Sequence, residues 1–125
     1  MNLLLDTHTL IWALEDNPTL SQEARTAITE GANLVFVSPI AVWEIGIKKA
    51  LGKLQAPGNL LEEVRNHRFD FLDITAEHAK QAAELPPIHQ DPFDRMLIAQ
   101  AKVESLVLVT RDNTISQYQL RTLRA

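Results

Sequence analysis

Three stretches of this chain are apolar without a break: "LLL" at Leu3–Leu5, "LVFV" at Leu34–Val37 and "LVLV" at Leu106–Val109. A strand with one wet face alternates apolar and polar side chains. These stretches do not alternate, so each reads as a strand buried on both faces. Helical patterns lie between them, starting at Thr7, Ser21, Pro39, Leu60, Thr75 and Phe93. Buried strands alternating with helices indicate an α/β domain with a mainly parallel central sheet.

Local signals set the boundaries. Ser21 is a capping residue and Gly31 a helix stop. Ser38 and Pro39 open the next helix, which ends at Gly52. A weaker strand is expected in "FDFLDI" from Phe69, and "LPPIHQDP" is a proline loop. After Asp112 we expect a short helix and an edge strand over Gln119–Leu123.

At 125 residues the chain fits a single domain spanning 1–125. It has no cysteine, which excludes disulfides and thiolate metal sites and fits a reducing cytoplasm. No apolar run approaches the ~20 residues of a membrane span. The net charge of -4 argues weakly against nucleic-acid binding. It matters, however, where the acids sit.

Ligands of open parallel sheets bind beyond the C-terminal strand ends. Asp6 directly follows the first strand, and Asp112 closes "LVLVTRD" just past the late one. Glu44 shares a helix face with Ile40, Ile47 and Leu51, and Asp94 shares one with Leu97, Ile98 and Ala101. Carboxylates on core-facing stripes are costly unless something compensates them. Four converging on a hard divalent cation such as Mg2+ would be compensated, and such an ion activates water for phosphoryl displacement.

Each acid also has a structural alternative. Asp6 suits a helix N-cap, and Glu44 a surface pair with Lys48. Asp94 suits a first-turn residue facing the helix dipole, and Asp112 an ordinary turn. Asp91, before Pro92, reads first as an N-cap and second as support for a metal site. His89 reads as a solvated loop histidine, because no second histidine lies at metal spacing. Thr7 or His8 could orient Asp6 or touch substrate, and Thr110 could bond a metal-held water. Trp12 and Trp43 read as core or interface.

Taken in order, "LLLDTHTLIWAL", "VSPIAVWEIGIKKALGKL", "LPPIHQDPFDRMLIAQA" and "LVLVTRD" resemble PIN-domain ribonucleases, specifically the VapC-type toxins of bacterial toxin–antitoxin pairs. The resemblance runs from Leu3 to about Asp112. It implies a three-layer αβα PIN-like domain with four to five strands. Asp6, Glu44, Asp94 and Asp112 would be the catalytic acids, with Asp6, Asp94 and Asp112 on the metal and Thr7, Asp91 and Thr110 in support. It further implies Mg2+ or Mn2+ as cofactor, RNA as substrate, an antitoxin as partner and a homodimer. With four site acids set aside, the remaining acids balance the 12 lysines and arginines. Lys48, Lys49, Lys53, Arg95 and Arg111 are then candidates for phosphate contacts.

Other classes fit less well. A receiver domain usually carries an acidic pair after its first strand, where this chain has "DTHT". A haloacid-dehalogenase-type phosphatase needs a second aspartate where His8 stands. The serious alternative is a PIN-like scaffold that acts only by binding a partner protein or RNA. Metal-dependent cleavage by the purified protein separates the two.

Overall fold

The computed structural model describes residues 1–125 and has five strands. They are β1 (Asn2–Leu5), β2 (Leu34–Val37), β3 (Asp70–Phe71), β4 (Val107–Thr110) and β5 (Thr122–Arg124). The sheet runs in the order β3-β2-β1-β4-β5, and every adjacent pair is parallel. The helices are α1 (Thr7–Leu14), α2 (Gln22–Thr29), α3 (Pro39–Ala50), α4 (Leu60–Asn66), α5 (Ala76–Glu84) and α6 (Pro92–Val103). None is long and apolar enough to cross a membrane.

The unbroken apolar runs have the expected cause. Leu3 and Leu5 pack on one face with Leu10, Ile11, Ile28, Ile45 and Val64. Leu4 and Leu108 pack on the other with Leu97, Ile98 and Ala101 of α6. Helices therefore cover both faces of the sheet, giving three αβα layers. Fully burying each such leucine contributes about 1.5–3 kcal/mol.

The caps follow the sequence signals. Ser21 Oγ accepts from Ala24 N at 3.0 Å, and Ser38 Oγ accepts from Ile40 N at 3.1 Å. Gly52 takes φ +70° just past the end of α3, a backbone that side chains disfavour. Three expectations need correction. The third strand is only Asp70–Phe71, because it lies at the sheet edge with Asp70 and Asp73 exposed. The last strand is Thr122–Arg124, placed by pairing Thr122 with Leu108, and the short helix before it is a 3-10 turn over Ile115–Gln117. Trp43 is no core residue: it is 63% exposed and meets Phe93 edge-on.

Strand order fixes where a site can form. The chain winds from β1 outward to β2 and β3, then returns to place β4 on the other side of β1. The crevice between the ends of β1 and β4 is a topological switch point. Asp6 and Asp112 leave the sheet there.

Candidate active site

A cavity of about 420 Å³ opens at this crevice. Asp6, Glu44, Asp94 and Asp112 all line it, with Asp91, Lys48, Arg111, Thr7, His8 and Trp12. The four acids expected on one rim meet in this cavity.

Each acid is held by its local element. Asp6 is the N-cap of α1, its Oδ1 accepting from Thr9 N at 2.9 Å. The cap role and the cavity position coexist, since one carboxylate has two oxygens. Glu44 is 95% buried on the inward face of α3. That face is Ile40, Ala41, Glu44 and Ile45; Leu51, expected on it from the periodicity, is exposed. Thr7 Oγ1 donates to Glu44 Oε1 at 2.5 Å, and Lys48 pairs with Oε2. Asp112 Oδ1 accepts from Thr114 N at 2.8 Å, and its own N–H donates to Thr110 Oγ1 at 3.1 Å. Asp91 caps α6, accepting from Phe93 N at 2.8 Å and Asp94 N at 3.3 Å.

The charges act on one another. Burial pushes the Asp94 carboxyl up to about 7, and the negative charges of Asp91, Asp6 and Glu44 add to this while His89 opposes it. Burial would also raise Asp112, but hydrogen bonds from His89 and Thr114 outweigh it and hold Asp112 below its ordinary value. The hydrogen bond to Glu44 holds the Lys48 ammonium above its ordinary value against a smaller effect of burial, with Asp91 and Asp94 adding to the rise.

The basic candidates divide. Lys48 and Arg111 line the cavity. Arg111 lies over the Trp12 ring at 4.6 Å and donates to the backbone oxygens of Ala125 and Thr19. Lys49 and Lys53 are exposed and lie outside the cavity lining. Arg95 lies outside the cavity lining. Its guanidinium donates to the carbonyls of Ala82, Leu85, Pro86 and His89 at 2.8–3.1 Å, so its fork is spent on the backbone.

His89 lies in the loop as expected but is not solvated: its side chain is only 16% exposed. Its Nε2 lies 2.8 Å from Asp112 Oδ2 and 3.0 Å from Asp94 Oδ2. The loop is held by contacts from beyond it: His89 N donates to Tyr118 Oη, distant in sequence, at 2.8 Å, and Arg95 donates to His89 O at 3.1 Å. Trp12 packs half-buried against the core, as expected, and is also the cavity's one hydrophobic wall residue.

The donor set suits a hard cation. Carboxylates of Asp6, Asp94 and Asp112 line the cavity, and those of Asp94 and Asp112 lie close enough to share an ion. Thr7 anchors the fourth acid. Thr7→Val is expected to lower stability by about 1–3 kcal/mol, since it leaves a buried carboxylate short of a donor. Urea denaturation checks this, and Thr7→Ser should remain close to wild type.

Comparison with known proteins places this architecture. The PIN domain family model matches residues 3–120, and the chain belongs to the PIN-domain family. No match was found among curated proteins. Among solved structures, VapBC2 from Rickettsia felis bound to a promoter DNA fragment superposes with a TM-score of 0.72 at 16% identity, covering 98% of both chains. DNA-bound VapBC from Salmonella typhimurium gives 0.70 at 21% identity, covering 98% of this chain and 97% of that one. FitAcB from Neisseria gonorrhoeae gives 0.61 at 20%, covering 98% and 96%. At these identities the likeness shows the fold.

Proposed function

We propose that the chain is a divalent-metal-dependent endoribonuclease and the VapC-type toxin of a toxin–antitoxin pair. The observation that carries this reading is the meeting of four carboxylates in one cavity at the switch point of the sheet. Membership of the PIN family and the likeness to solved toxin–antitoxin complexes support it.

In this reading Asp6, Asp94 and Asp112 would hold Mg2+ or Mn2+, which would supply water activation and charge neutralisation for an in-line displacement at phosphorus. Glu44, fixed from two sides by Thr7 and Lys48, keeps a carboxylate beside the reacting phosphate. Burial and the neighbouring acids favour the protonated form of Asp94, which limits repulsion among the acids. Lys48 and Arg111 give the cavity a positive wall for the phosphate backbone. Lys49, in the last turn of α3, and Lys53, just past its end, extend that wall for a longer RNA. A cognate antitoxin and a second copy of the chain are the protein partners, and the cytoplasm is the compartment.

The purified protein is expected to cut single-stranded RNA only with Mg2+ or Mn2+, leaving 3′-hydroxyl and 5′-phosphate ends. End-labelling of the products with and without EDTA checks this. Ends bearing 2′,3′-cyclic phosphate, or cutting that persists in excess EDTA, would contradict it. A protein that binds metal and partner yet cuts no RNA would establish the scaffold reading instead.

A further inference from the structure

His89 lies nearer to two of the site acids than any other cationic or imidazole group, and the family motifs quoted above assign it no role. Its Nε2 and the carboxylate oxygens of Asp94 and Asp112 all lie within 4.8 Å of one another, a spacing at which three ligands could share an ion. The other ring nitrogen decides between ligand and donor. The Asp91 backbone N–H donates to His89 Nδ1 at 3.2 Å. A nitrogen that accepts a hydrogen bond carries no proton, so in the neutral ring the proton sits on Nε2. Nε2 is then a donor to Asp112 and cannot offer a lone pair to a metal. Ligation would require moving the proton to Nδ1, straight against the Asp91 N–H.

The ring is also held from behind. His89 N donates to Tyr118 Oη at 2.8 Å, and Tyr118 Oη donates on to Pro86 O at 2.8 Å. Arg95 donates to His89 O at 3.1 Å. An imidazole anchored through its backbone on both sides is built to aim its Nε2–H.

We infer that His89 is a positioning residue: a tautomer-locked donor that holds Asp112, and with it Asp94, at the spacing a divalent ion needs, without itself becoming a ligand. Outer partners of this kind typically change metal affinity by about 10–100-fold when removed. This rests on the proposed metal site but not on RNA cleavage.

The test is Mn2+ and Mg2+ binding by isothermal titration calorimetry to wild type, His89→Ala and His89→Gln, followed by RNA cleavage at saturating metal. Loss of the donor in His89→Ala should weaken both ions by about tenfold or more. His89→Gln can place an amide N–H near the former Nε2–H, so it should recover most of the affinity. Unchanged affinity in His89→Ala would overturn the inference. So would a His89→Gln protein that folds as wild type, by circular dichroism, but binds as weakly as His89→Ala. If wild type binds metal but cuts no RNA, the nuclease reading fails while the affinity comparison still decides the role of His89.

Discussion

Asp94→Asn is expected to lose RNA cleavage by about two orders of magnitude or more, the usual scale for removing a key electrostatic group. The same variant should be more stable than wild type in the absence of metal. Folding raises the Asp94 carboxyl from 3.8 to about 7. Between those values the folded chain keeps a proton that the unfolded chain has released, so stability falls as pH rises. Above about 7 both states are ionised and the full cost is present; below about 4 both are protonated and it vanishes. A shift of this size corresponds to at most about 4 kcal/mol. The side chain is 24% exposed, and solvent screening reduces the effect. We therefore expect a gain of about 1–2 kcal/mol for Asp94→Asn at pH 8, shrinking towards zero near pH 4. Denaturant melts in EDTA at several pH values read this directly. A variant that is less stable than wild type at pH 8 would mean that Asp94 serves α6 as a first-turn residue and carries no repulsion.

Arg95→Ala should give the largest loss of stability among the charged residues near the site, about 3 kcal/mol, and a loss of cleavage with it. Its guanidinium ties the end of α5 and the proline loop to α6 through four carbonyls. Hydrogen bonds from a charged donor contribute about 1.5–3 kcal/mol each, but several from one group do not add fully. Arg95→Lys should recover little, because a point-like ammonium cannot span a fork of carbonyls. Thermal melts paired with RNA binding at two salt concentrations separate this from a phosphate contact. A phosphate contact would lower affinity and the salt dependence while leaving the melt unchanged.

The same arginine shows where sequence reasoning stops. An arginine beside a site acid resembles a phosphate contact, yet adjacent positions on a helix point about 100° apart, and that turn aims Arg95 at α5. The strands buried on both faces were legible because Leu3–Leu5 and Leu106–Val109 leave no polar face to expose. Asp6 and Asp112 were legible because one rule about parallel strand ends covers both. Asp94 was legible from its periodic companions Leu97, Ile98 and Ala101, all buried. Glu44 was legible in position though not in every neighbour, since Leu51 falls past the last turn covered by the core. His89 was not legible. Its place depends on Tyr118, distant in sequence, and no local pattern carries that contact. The edge strands were poorly placed for a related reason: half-buried and short, they take their limits from their partners' register.

The sheet order also sets a timetable. Leu3–Leu5 form the middle strand, and Leu3 pairs with Val107 across nearly the full chain. Such distant pairings raise contact order and slow folding, because a long loop must close before the contact forms. During synthesis at about 5–20 residues per second, Asp6 waits on the order of ten seconds for Asp112 to be made. Until then the far flank of β1 is open and the cavity lacks a wall. For the proposed toxin this means that the emerging chain carries no working site beside the ribosome, and that the chemistry is assembled among its last folding events.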